Sequence, residues 1–111
     1  MSELREKRVK FTRLKAELIL WANGLHPGWE VAEGRDFDES NEKLRHMKDS
    51  LHYSGLADDL ALYIDGIYQT STEAYREIGE KWKSLDPECC WGGDFSRPDG
   101  NHISIKFQGR K

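Results

Sequence analysis

The sequence predicts one α+β domain, a small antiparallel sheet with helices packed on one face, and three observations predict it. Apolar residues recur at helical spacing near the start of the chain, an alternating run from Leu56 to Ile64 stops at Asp65-Gly66, and a second alternation runs from His102 to Phe107. Spacings of three and four mark one face of a helix, and alternation marks a strand. Asp-Gly beside such a run marks a two-residue hairpin, which makes the sheet antiparallel there. A chain of 111 residues has the length of a single domain and can hold one core without disulfides. The domain is expected to cover residues 1–111, with an N-terminal helix over about 6–23 and the remaining core over about 29–107.

Composition narrows the function classes. With 37% hydrophobic and 33% charged residues the chain is a polar globule rather than a disordered tail. A net charge of -3 argues against a nucleic-acid binder, although Arg5, Lys7, Arg8, Lys10, Arg13 and Lys15 cluster early. That cluster is expected to be a solvated helix face. Cys89 and Cys90 are adjacent, and a bridge between neighbours is strained, so both are expected to be packing thiols in a reducing compartment. The apolar run Leu18 to Ala22 is too short for a membrane span or a secretory core. No membrane insertion is expected, and the chain is expected to stay in the cytoplasm where it is made.

In chain order, Phe11, Leu14, Leu18, Trp21 and Leu25 define the first helix face, with Asn23-Gly24 as a left-handed stop and Pro27 preventing resumption. Trp29 to Arg35 reads as a strand that delivers Arg35 to a loop, and the charged stretch 36–49 as a loop with a turn or two of helix. Along the central strand Leu60, Leu62 and Ile64 share the core face. Ala57, Asp59, Ala61 and Tyr63 share an open face. Thr70 with Glu73 has the form of a capping box, and Tyr75, Ile78, Trp82 and Leu85 mark a second helix that ends at Asp86-Pro87. Pro98 to Asn101 is a turn by composition. In the last strand Ile103, Ile105 and Phe107 face the core while His102 faces away, as Asp59 does.

The chemistry-bearing stretch is Ser50-Leu-His52-Tyr-Ser-Gly55-Leu-Ala57-Asp-Asp59, followed by Trp91-Gly92-Gly93-Asp94-Phe95 and Asp99-Gly-Asn-His102. An imidazole and a carboxylate suit Zn²⁺, and a catalytic zinc takes three protein ligands and keeps one position open. His52, Asp59 and His102 supply such a set. Over residues 29–107 these strings resemble the zinc D-alanyl-D-alanine carboxypeptidase family, most closely its phage endolysin branch of L-alanyl-D-glutamate endopeptidases. The resemblance implies a Hedgehog/DD-peptidase-like fold and a peptidoglycan stem peptide as substrate. It implies Asp99 as general acid/base and Arg35 as the group that holds the substrate carbonyl or carboxylate. Arg35, Ser50, Tyr63, Trp91, Gly92 and Gly93 would then contact substrate.

The expected activity is hydrolysis of a stem-peptide amide, the L-alanyl-D-glutamate bond first, by a monomeric enzyme that leaves its host's cytoplasm to reach the wall. A D-alanyl-D-alanine carboxypeptidase is the runner-up within the enzyme reading. Outside it stands a non-catalytic wall-binding module of the same fold, which the full set of ligands and base disfavours.

Overall fold

The computed structural model describes residues 2–34 and 55–111. Helix α1 spans Glu3–Asn23, three residues longer at its start than the apolar spacing predicts. Ser2 explains the extension, because its hydroxyl accepts the Arg5 N–H at 3.2 Å and caps the first turn. Phe11, Leu14, Leu18 and Ala22 are buried. Trp21 lies at the edge of that stripe, half-buried, with the Lys81 ammonium 5.3 Å from its ring.

The helix does not end in a left-handed residue. Gly24 has φ -104°, and the positive φ falls later, at Gly28 with φ 84°. Asn23 has a tertiary task instead. Its amide oxygen accepts the Val31 N–H at 2.9 Å and its amide nitrogen donates to the Val31 carbonyl at 2.9 Å, so the helix end is stitched to the first strand.

Strands β1 (Trp29–Glu33), β2 (Ala57–Ile64), β3 (Ile67–Tyr68), β4 (Cys89–Trp91) and β5 (His102–Ile105) form one sheet of order β1-β2-β5-β4, with β3 also paired to β2. Every pairing is antiparallel. Asp65 at φ 51° and Gly66 at φ 80° make the expected hairpin between β2 and β3, where only such residues adopt the turn cheaply. Helix α2 spans Arg76–Leu85, preceded by a single 3₁₀ turn at Glu73–Tyr75.

The capping box is absent. Ser71 rather than Thr70 caps the turn, through the Ala74 N–H, and the Glu73 carboxylate pairs with Arg76. Thr72 is fixed from outside: a Cβ placed on Gly100 would stand 2.5 Å from its Cα, so that segment is packed against the turn before β5. Tertiary contact has overridden the local signal.

Both helices cover the face of the sheet that carries Leu56, Leu60, Leu62, Ile103 and Ile105, all at most 1% exposed. The rings of Phe11 and Trp82 meet edge to face at 5.7 Å between centroids, closing the two helices over the core. The opposite face is less open than alternation alone implies. Ala57, Ala61, His102 and Ser104 are buried, the Ser104 hydroxyl donating to the Lys111 carbonyl at 3.0 Å as the chain end folds over it.

Cys89 and Cys90 are free, buried thiols; burial pushes Cys89 up to about 12 and raises Cys90 too, which leaves both unreactive near neutrality. No described helix is long and apolar enough to cross a membrane.

Among the described residues, Lys7 and Lys10 of the early basic cluster are engaged in internal pairing. Lys10 bridges Asp86 at 3.0 Å and Glu88 at 2.8 Å, and Lys7 also bonds Glu88, which ties α1 to the segment before β4. The Glu88 carboxyl is held below its ordinary 4.5 by Lys10 and Lys7, and the Asp86 carboxyl below its ordinary 3.8 by the Glu88 N–H and Lys10. Groups that titrate lower when folded contribute their full stability above the unfolded values and lose it as pH falls through the folded ones. The melting temperature is therefore expected to drop on acidification below pH 4.5. Circular dichroism melts should show Glu88→Gln losing less over that range than the parent.

Candidate metal centre

The register between β2 and β5 makes the site. Asp59 stands directly opposite His102, Asp58 opposite Ile103 and Ala57 opposite Ser104. Directly paired residues share a face, so Asp59 and His102 project together on the side away from the helices. His102 Nδ1 is 3.7 Å from Asp59 Oδ1. The small side chains of Ala57 and Ala61 flank Asp59 on its own strand and leave room beside it.

Asp99 joins them from the turn before β5. Its N–H donates to the Gly92 carbonyl at 2.9 Å and its carbonyl accepts the His102 N–H at 3.1 Å, so the turn closes one step later than composition suggests. One donor atom each from Asp59, Asp99 and His102 lies within 4.8 Å of the others. Asp99 is exposed, whereas Asp59 is half-buried and His102 is buried with the Phe95 ring 5.1 Å away.

Gly92 permits this geometry. A Cβ there would stand 2.1 Å from the Asp99 carbonyl oxygen and 2.7 Å from the His102 Cβ. Gly92→Ala must therefore push the turn away from the strand. The expected result is a loss of about 1–3 kcal/mol of stability, the usual cost of overpacking, together with at least a tenfold drop in activity, read by thermal melts and peptidoglycan turnover.

Trp91 is a support, not a surface for substrate. At 1% exposure its indole lies between Gly79 and Gly93, either of which would collide with the ring if it carried a Cβ. The indole N–H donates to the Gly100 carbonyl at 2.6 Å, fastening the turn that carries Asp99. The expectation that Trp91 touches substrate is corrected accordingly. Gly92 is buried against Asp99 and His102, so it too shapes the site from behind; Gly93 packs on Trp91. Asp94 pairs with Lys83 at 2.8 Å and is structural. Tyr63 shares the face of Asp59 but lies about 13 Å along the strand, at roughly 3.3 Å per residue, beside Tyr68 and outside the cluster. Arg35, Ser50 and His52 fall outside the described residues.

The donor set fits a zinc-like ion. Imidazole nitrogen and carboxylate oxygen are its ordinary ligands, and donors about 2.0–2.2 Å from a tetrahedral ion stand roughly 3.4 Å apart. The 3.7 Å between His102 and Asp59 is close to that.

A family model described as D-alanyl-D-alanine carboxypeptidase matches residues 45–105, more than half of the chain. The chain belongs to the D-alanyl-D-alanine carboxypeptidase family. Among solved structures, the L-Ala D-Glu endopeptidase ChiX of Serratia marcescens is similar at a TM-score of 0.58 and 18% identity, over 95% of this chain and 84% of that one. At that identity the likeness carries the fold, an α+β peptidase fold with a small antiparallel sheet. No curated protein matches the chain. The match to the carboxypeptidase family takes in Asp59, Asp99 and His102.

One supporting residue escaped the sequence reading. Asp58, beside the candidate ligand Asp59, has no role in it, yet it is a carboxylate buried on the helix-facing side of β2. The signal was present: a charge at a position whose parity matches Leu56, Leu60 and Leu62 requires a buried partner.

Proposed function

We propose that the chain is a zinc-dependent peptidoglycan peptidase that hydrolyses an amide bond of the stem peptide, the L-alanyl-D-glutamate bond first, and serves as a phage endolysin. The observation that carries this reading is the convergence of Asp59 and His102 across one strand pair, with Asp99 on the adjoining turn. Asp59 and His102 would hold the ion, with His52 as third ligand. When bound, the ion would supply Lewis acidity and bring a water's pKa to about 7.

The chain's own groups then have separate tasks. Asp59 and His102 sit on strands whose backbones are fixed by pairing, which suits ligands that must not move. Asp99 is exposed at the rim, within reach of the cluster, and takes the proton of the attacking water and returns it to the leaving amine. Arg35 would hold the substrate's carbonyl or carboxylate, a task that its forked, permanently charged donors fit. The site of action in this reading is the wall, reached from the host cytoplasm after release.

A carboxypeptidase acting on terminal D-alanyl-D-alanine is the second reading, favoured by the description of the matching family. Mass spectrometry of purified peptidoglycan after digestion separates the two. Stem peptides severed after L-alanine, from zinc-loaded but not chelator-treated protein, are expected. Loss of terminal D-alanine alone would transfer the assignment to the carboxypeptidase, and an unchanged digest would remove the enzyme reading.

A further inference from the structure

We propose that Lys15 and Asp58 form a positioning pair that fixes the backbone of Asp59 from the core side and thereby sets how tightly the site holds its metal. The inference rests on the metal reading above and extends it to the N-terminal helix.

Asp58 uses its two carboxylate oxygens for different purposes. Oδ1 accepts the Asp59 N–H at 2.8 Å, and Oδ2 accepts from the Lys15 ammonium at 3.2 Å. The Asp59 N–H lies just past the point where β1 ends, since the last pair of that ladder is Glu33 with Leu60. A side chain has replaced the strand as its acceptor.

Lys15 also bonds Glu33, the last residue of β1, and its ammonium stands 5.4 Å from the Phe11 ring. The next residue, Gly34, is packed so closely on Asp59 that a Cβ there would fall 1.9 Å from the Asp59 carbonyl oxygen. One cation thus ties Asp58, which accepts the Asp59 N–H, to Glu33 at the end of β1, next to the Gly34 that packs on the Asp59 carbonyl.

Burial favours a charged pair here only because it is complete. The side chains of Lys15 and Asp58 are 16% and 8% exposed. Burial lowers the Lys15 pKa, but the Glu33 and Asp58 carboxylates outweigh it and raise the value, so the ammonium stays charged. Such a pair adds little net stability over apolar side chains of the same size. Its use is to hold Asp59 in one orientation, and residues that orient a ligand typically change metal affinity 10–100-fold.

The test is the double variant Lys15→Met with Asp58→Leu, which leaves no charge stranded in the core. Zinc affinity is read by competition with a chromophoric chelator, and stability by melting of the metal-free protein. The expected result is a zinc Kd at least about tenfold weaker in a metal-free protein that still folds and melts in one cooperative transition. A double variant that binds zinc as the parent does overturns the inference alone. A parent that takes up no zinc overturns the metal reading and this inference with it. A second measurement needs no variant: in the metal-free parent the Asp59 amide should exchange with deuterium at least about 100-fold more slowly than an open amide, and exchange at the open rate overturns the pair.

Discussion

Asp99→Asn is expected to keep zinc and lose turnover by about 10²- to 10⁴-fold, the usual worth of a positioned acid/base. The substitution is nearly isosteric and leaves the backbone contacts of Asp99 with Gly92 and His102 in place, so the turn should survive. What it removes is a group that can accept a proton. The same experiment separates the two roles open to a carboxylate that lies within 4.8 Å of both Asp59 and His102. A base leaves metal affinity almost unchanged when amidated, whereas a ligand does not. Zinc content by mass spectrometry and initial rates on purified peptidoglycan are the two readings, and an Asp99→Asn enzyme of undiminished rate would take Asp99 out of the mechanism.

His102→Ala should act at the opposite end, on the metal itself. Outer-shell losses alone cost 10–100-fold in affinity, so removing an inner ligand is expected to weaken zinc by at least about 100-fold and take activity with it. Stability gives an independent readout, because a ligand that binds only the folded state stabilises it by about 4 kcal/mol at a thousandfold excess over its Kd. For a domain of this size that is a rise of roughly 15 °C in Tm. The parent should show the rise on adding zinc and His102→Ala should not. Equal zinc-dependent shifts in the two proteins would remove His102 from the ligand set.

What could be read from the sequence was what short-range physics decides. The Asp65-Gly66 hairpin depends on two backbone conformations, and both residues adopt positive φ as expected. The alternation of Leu60 with Ala61 and of His102 with Ile103 placed each side chain on its correct face, because a strand has no other choice. The pairing of Asp59 with His102, 43 positions apart, was not deducible from either strand; alternation gives faces but not neighbours. The family resemblance supplied what pattern could not.

The failures have the opposite origin. Thr70 and Glu73 had the right spacing for a cap, but Thr72 is held by Gly100 and the helix starts later, at Arg76. Trp91 beside two glycines suggested a substrate surface, whereas Gly93, with the distant Gly79, makes room for the ring itself and Gly92 makes room for Asp99 and His102. In both cases a long-range contact claimed residues whose local sequence suggested another use. Asp58 is the same lesson in reverse, a charge whose parity disclosed a buried partner that only the fold could name.

On the proposed function, β2 and β5 hold one divalent ion through nitrogen and oxygen donors alone. X-ray absorption at the zinc edge of protein loaded with one equivalent reads those donors. A single shell of N and O donors at about 2.0–2.2 Å, two of them imidazole, is expected. A sulfur scatterer near 2.3 Å, which would place the ion on Cys89 or Cys90, would contradict it.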